Sequence, residues 1–433
     1  MGRIRTMACV LVAVTLLVSL LGGSPFAATA DSRRKIVIFD DLLTPAVLQA
    51  VFTSLALAKI TVLYDLSSLI NALAVELPLV PPLGTDPLAL LEDLGTVTDD
   101  VLTFIDPICP TGVPVFEDPL QEYRWGMQQI KAPEAHMPWP PPSRQTGAVT
   151  VAVLDTGISP HSELSGRIVQ GYNAITKTGV TTDDHGHGTH MAGIILANKN
   201  GEGVVGVAGV EPEALKIKVA AVKVLDNDGA GYLSEVINGL QWVREHGIRL
   251  VNMSFGFKFS KSNDGTPLMK AIHNLSKAGI IMVASAGNAC CAGGVCDDGG
   301  GDGDCGPARN CPYTSTSMTA PATYSEVIAV GATNSAGQIP NYSLYSGKGP
   351  DVLAPGGEPL SGGPDNGQIL STNNVGYGRG NGTSQAAAHV TGAIALALSL
   401  NPELAPHAVK NLVTQNAVLN VLNVQNMINA VPQ

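Results

Sequence analysis

An acid, an imidazole and a hydroxyl stand in three short segments of this 433-residue chain: Asp155 in VAVLDTGIS, His187 in DHGHGTHMAG and Ser384 in GNGTSQAAAHVTG. A serine hydroxyl is a poor nucleophile until a base takes its proton. Imidazole serves as that base when a carboxylate holds its tautomer and stabilises its cation. Any one of these segments alone is only a turn before a helix. All three at domain-scale spacing point to nucleophilic acyl transfer.

The elements around these residues suit that chemistry. Asp155 ends the apolar run VTVAVLD, read as a strand, and in open parallel sheets function gathers beyond the carboxyl ends of strands. His187 precedes the apolar pattern MAGIILA, so it starts a helix. Ser384 opens the helix TSQAAAHVTGAIALAL, whose first N–H groups and partial positive charge lie where an oxyanion would develop. Gly382 lets the backbone approach a substrate closely. His185 is read as a surface-loop residue and His190 as structural. His185-x-His187 beside Asp183 and Asp184 mimics a metal site, a reading that the acid and hydroxyl segments oppose. Elsewhere strands alternate with helices: KVAAVKVL, YLSEVINGLQWVREHG, RLVNMSF, PLMKAIHNLSKAG, IIMVASAG and EVIAVGA. That order predicts an α/β fold with a doubly wound parallel sheet. The apolar stretch Ala386–Leu400 is Ala-rich and holds His389 and Thr391, so it reads as a buried helix and not a membrane span.

The order Asp, His, Ser and the residues flanking each resemble the subtilisin-like (subtilase) family of serine proteases, and the resemblance covers nearly all of the chain after residue 120. It implies a serine endopeptidase with a catalytic domain over 120–433, in which Asp155, His187 and Ser384 form the triad. It also implies that Asn288, in SAGN, supplies a side-chain oxyanion donor. Gly229-Ala230-Gly231 and Ser254-Phe255-Gly256 match the two family segments that hold an extended peptide as an added strand. Gln121, Glu163 and Asn200, with the loop NKNGEGVVGVA, fall where the family takes oxygens for a structural calcium ion. Glu163 stands there for the usual Asp, and Lys199 adds a nearby cation. Two further departures are Gln385, where the family often has Met, and Ala388, where it usually has Pro. The resemblance implies no organic cofactor, protein or peptide substrates, and a monomer.

The chain's net charge is −11, which excludes an electrostatic case for nucleic acid. The charge is uneven: residues 31–119 carry 13 acidic and 4 basic side chains, whereas 120–433 carry 23 and 19. Residues 1–30 read as a secretory signal peptide. Arg3 and Arg5 start it, an apolar run of about 15 residues follows, and Ala28-Thr29-Ala30 ends it. That run is short of the ~20 residues that span a bilayer. A secreted, extracellular protein with no membrane contact after signal removal is expected.

Between the signal and the catalytic domain, RKIVIFDD, TPAVLQAVFTSLA, AKITVLYDL, INALAVELP, TDPLALLEDLG and DVLTFIDP read as β-α-β-β-α-β, the ferredoxin-like order. In that place, residues 31–119 resemble the family's inhibitory propeptide, which blocks the cleft until it is cut. The processing site is expected within Ile108–Pro119. No accessory domain is expected after LAPHAVKNLVTQNA. The segment 289–312 is a Cys-, Gly- and Asp-rich insertion holding five of the seven cysteines, Cys290, Cys291, Cys296, Cys305 and Cys311. In a secreted protein this reads as a disulfide-stapled loop with one thiol left over or paired with Cys109. The Asp-Gly run within it could also hold calcium.

Overall fold

The structure is a computed structural model. It describes residues 33–39, 45–105, 125–209, 216–259, 265–289, 317–358 and 367–432, less 80, 83–85, 137–138, 142–143, 346 and 348. Residues 1–30, expected to be a signal peptide, the Ile108–Pro119 segment, Gln121 and all seven cysteines lie outside the described residues.

The chain forms two compact units, divided at Asp100. In the first, strands β1 (Arg34–Ile38), β2 (Thr61–Asp65), β3 (Ala72–Glu76) and β4 (Thr96–Asp99) make a sheet in the order β2-β3-β1-β4. The pairings that β3 makes with β1 and β2, and the pairing of β1 with β4, are antiparallel. Helices Pro45–Leu57 and Pro87–Leu94 complete the ferredoxin-like arrangement. Val37, Leu73 and Val75 alternate inward to a core shared with Val51, Leu55 and Leu91. Asp86 caps the second helix, its carboxylate accepting the N–H groups of Leu88 and Ala89.

One strand differs from the sequence expectation. DVLTFIDP is not the last strand of this sheet. Thr96–Asp99 takes that place, where β-branched residues pair with β1. Leu102–Phe104 (β5) belongs to the second unit and pairs antiparallel with Ala230–Tyr232 (β9).

The second unit is built on seven parallel strands: β6 (Val149–Asp155), β7 (Ile168–Asn173), β8 (Ile217–Lys223), β10 (Leu250–Met253), β11 (Ile281–Ser285), β12 (Val327–Thr333) and β13 (Val352–Pro355). Their order is β13-β12-β11-β10-β6-β8-β7. The order turns back between β6 and β10, the switch point at which open α/β sheets place their ligands. A hairpin of β14 (Ile369–Asn373) and β15 (Gly376–Gly380) then leads to the helix Thr383–Leu400.

That helix is buried along its whole length and packs on the helix His187–Leu196 and on β10 to β13. Helices Leu233–Glu245 and Thr266–Lys277 pack on each other as a second set. An Ala-rich sequence permits such burial, because small side chains let strands and helix approach closely. Among the described residues, no helix is long and apolar enough to cross a membrane. Leu396 sits fully buried on this helix within the main core. Leu396→Ala should lower unfolding stability by about 2–5 kcal/mol while leaving turnover per folded molecule unchanged, as read by denaturant titration beside an active-site count.

Candidate active site

Three consecutive parallel strands deliver the site. Asp155 is the last residue of β6, Ser254-Phe255-Gly256 follows its neighbour β10, and Asn288 follows β11. Asp155 is wholly buried, and His187 nearly so. The imidazole Nδ1–H reaches both carboxylate oxygens, Oδ1 at 2.8 Å and Oδ2 at 2.9 Å. The N–H of Thr156 donates to Oδ1 at 2.8 Å. With Nδ1 so held, proton transfer at this ring would run through Nε2.

Ser384 is the second residue of its helix. Its hydroxyl donates to the carbonyl oxygen of Ser254 at 3.0 Å, while the Ser254 hydroxyl donates to the Ser384 carbonyl at 3.1 Å. Asn252 and Thr391 brace this exchange: Asn252 Nδ2 donates to Ser254 Oγ, and the Thr391 hydroxyl donates to Asn252 Oδ1. The Ser384 hydroxyl needs only a rotation about χ1 to leave Ser254. Apo sites commonly hold such hydrogen bonds away from their reacting geometry.

Asn288 is oriented by the same helix. Its Oδ1 accepts both the N–H and the hydroxyl of Thr383 at 2.9 Å. That fixes which end of the amide is the donor end. A Cβ on Gly382 would lie 2.9 Å from Asn288 Nδ2, so only glycine leaves that face open. Ser384, Asn288, Thr383, Ser254, Gly256, Ser285, Gly287 and Thr319 line one cleft together with Ile105.

Gly229-Ala230-Gly231 carries the chain's own strand β5, with Leu102 opposite Tyr232, Thr103 opposite Gly231 and Phe104 opposite Ala230. Ile105 N–H donates to the Gly229 carbonyl at 3.0 Å, and the Thr103 hydroxyl donates to the Gly256 carbonyl at 2.7 Å. Both segments expected to bind peptide therefore contact residues 102–105. Gly229 has φ +70°, and a Cβ there would meet Ile105 Cγ1 at 2.7 Å.

The profile of the subtilase family matches residues 146–430, which include Asp155, His187 and Ser384. The chain belongs to the subtilase family. It is accordingly a serine-type endopeptidase of the peptidase S8 class. Subtilisin BL of Lederbergia lenta is 36% identical over 292 residues, covering 67% of this chain and 90% of that one. The minor extracellular protease Epr of Bacillus subtilis (strain 168) is 35% identical over 281 residues, covering 64% of this chain and 36% of that one. The crystal structure of fervidolysin from Fervidobacterium pennivorans, a keratinolytic enzyme related to subtilisin, superposes with a TM-score of 0.67 at 22% identity. It covers 95% of this chain and 63% of that one, and this likeness bears on the fold.

Within this subtilase, the other two histidines of the motif separate. His190 is fully buried, its Nε2 bonded to the Gly378 carbonyl at 3.2 Å. Burial first, and then His187, drives its pKa down to about 3. His185 is not a plain surface residue. It is partly buried, its Nδ1 has no hydrogen-bond partner, and burial and then His187 lower its pKa. Both imidazoles are neutral near pH 7. Among the described residues, no group of three or more His, Cys, Asp or Glu is arranged to hold a metal.

Subtilisins generally bind structural calcium. Here Glu163 and Asn200 do come together, but their polar atoms are taken by protein partners. Asn200 Nδ2 donates to Glu163 Oε2 at 3.0 Å, and Asn200 Oδ1 accepts Glu202 N–H at 3.0 Å. Glu163 Oε1 accepts the Tyr377 hydroxyl at 2.6 Å and Val204 N–H at 3.4 Å. An ion needs the Asn200 oxygen facing Glu163, and this arrangement presents the nitrogen. As placed, Glu163 and Asn200 do not by themselves make a calcium donor set, and Gln121 lies outside the described residues. Burial first pushes the Glu163 pKa up, and the bonds from Tyr377, Val204 and Asn200 pull it back.

The sequence reading passed over Thr156, Thr383 and Tyr377, which orient Asp155, Asn288 and Glu163 respectively. Thr156 and Thr383 adjoin motif residues, and that adjacency was the available signal. Tyr377 lies 214 positions from Glu163 and carried none. Tyr377→Phe should destabilise the protein by about 1–2 kcal/mol, since it strips a donor from a buried carboxylate. The fall in thermal midpoint should be the same with and without a chelator.

Proposed function

We propose that this subtilase is a secreted endopeptidase made as a self-processed precursor, in which the N-terminal unit and the strand after it inhibit the site until cut. The observation that carries this reading is β5. It lies in the peptide groove as an added antiparallel strand, with Ile105 lining the cleft of Ser384 and Asn288. A substrate held there gains main-chain hydrogen bonds that make little demand on sequence.

In hydrolysis, His187 Nε2 takes the Ser384 proton as Oγ attacks the peptide carbonyl. Asp155 keeps the proton on Nδ1 and stabilises the imidazolium. Asn288 Nδ2 and the Ser384 N–H at the helix N-terminus donate to the oxygen that becomes negative. The imidazolium then returns its proton to the leaving amine, and water repeats the cycle on the acyl-enzyme. An extended chain advances about 3.3 Å per residue. The bond presented to Ser384 therefore lies only a few residues beyond Ile105, at the amino end of Ile108–Pro119. The relatives include a protease whose printed name calls it extracellular, which agrees with the signal-like residues 1–30.

Ser384→Ala, expressed with no other protease present, should yield an uncut precursor without peptidase activity. Mass spectrometry of the parent should find a mature N-terminus between Pro107 and Leu120. Cutting of the Ser384→Ala chain would remove self-processing from the proposal. Asn288→Ala should lower kcat by about 10²–10³ with little change in KM, the cost known for removing such a donor from subtilisin. Progress curves on a peptide ester and a peptide amide check it.

A further inference from the structure

Asp183 lies outside the triad, yet it is buried and its carboxylate accepts five hydrogen bonds. Oδ1 takes the Thr156 hydroxyl at 2.8 Å, His185 N–H at 3.0 Å and Gly186 N–H at 2.7 Å. Oδ2 takes Thr189 N–H at 2.8 Å and the Thr189 hydroxyl at 2.6 Å. These donors bracket His187 in sequence on both sides. The helix His187–Leu196 has no capping side chain at Gly186. Asp183 supplies the missing acceptor, reaching the N–H of the helix's third residue from outside the helix.

The Thr156 hydroxyl carries one proton and faces two carboxylates, Asp183 Oδ1 at 2.8 Å and Asp155 Oδ1 at 3.3 Å. The shorter charge-assisted bond holds the proton. The same oxygen accepts Gly188 N–H at 3.0 Å, so Thr156 ties the backbone beside His187 to Asp183. We propose that Asp183 is a positioning residue of the catalytic centre. By holding the Thr156 hydroxyl and the backbone on either side of His187, it keeps the Asp155 carboxylate free for the imidazole and fixes the ring against it.

The charged neighbours support this assignment. Lys223, the buried cation nearby, is engaged elsewhere: Nζ donates to the Thr156 and Leu225 carbonyls and to Asp184. Asp184 is thereby paired with it, and His185 and His190 are neutral. Asp183 is therefore the anion that acts on this backbone. Burial pushes its pKa up, but the bonds from Gly186, Thr189 and His185 bring it below the usual carboxylate range. It is ionised throughout the working range, and its stabilising effect is lost only as pH falls through that lowered pKa.

The inference rests on the triad reading. A parent enzyme without Ser384-dependent activity would sink that reading, whereas variants equal to an active parent would sink only this one. The test compares Asp183→Asn, Thr156→Val and Thr156→Ser in the full chain, matured in trans by parent enzyme where self-processing is slow. Thr156→Val should lower kcat about ten- to a hundredfold with KM within about threefold, the scale of a small misplacement of catalytic groups. Thr156→Ser, which keeps the hydroxyl, should restore kcat to within about threefold of the parent. Asp183→Asn should lower kcat similarly and move the acid limb of kcat/KM towards lower pH by roughly half a unit, because a nearby anion that favoured the imidazolium is gone. A merely structural Asp183 would change the amount of folded enzyme and leave that limb in place. Thr156→Val with the parent's kcat, or an unmoved limb in a folded Asp183→Asn, overturns the proposal. If Asp183→Asn does not fold, the Thr156 pair decides alone.

Discussion

A carboxylate buried completely at the end of a parallel strand is the constraint around which this molecule is arranged. Asp155 has no access to water, so its charge must be met by protein groups. The Nδ1–H of His187 and the N–H of Thr156 meet it. The first turn of the histidine helix must therefore lie against the end of β6, and the loop before that helix must be held there. The Asp155–His187 geometry thus follows from satisfying a buried carboxylate.

Ser384 has a separate support. The helix Thr383–Leu400 is buried on every side, so its N-terminus cannot shift without disturbing the core. Ser384, Thr383 and Asn288 are fixed to that terminus and to the ends of β10 and β11. Two helix starts, one carrying His187 and one carrying Ser384, lie by the switch point of one sheet. Preorganised donors are worth most where they do not have to move as charge appears.

Between β9 and the segment after β10 lies room for one more strand. In this chain the slot is filled by Leu102–Phe104. Backbone groups of β9 are thus satisfied by the chain itself, and under the proposed function one set of hydrogen bonds would serve both inhibition and recognition.

Much of this was legible in the order of residues. The three motifs, the strand–helix alternation and the β-α-β-β-α-β order of the first unit are local patterns, set by hydrophobic period and by side-chain chemistry within a few positions. The buried Ala-rich helix was legible too, because its polar His389 and Thr391 opposed a membrane span. What sequence could not decide were pairings across long separations. DVLTFIDP has the alternation of a strand, but alternation does not say which partner it joins, and the partner of Leu102–Phe104 is β9, more than 120 positions along the chain. Glu163 stands at a calcium position by sequence, yet Tyr377, on a distant hairpin, and Asn200 occupy its oxygens. Asp183 looked like half of an acidic pair beside a histidine motif. Only the fold brings Thr156, Thr189 and the backbone at 185 and 186 onto its two oxygens, because hydrogen bonds form between neighbours in space and sequence orders only neighbours along the chain.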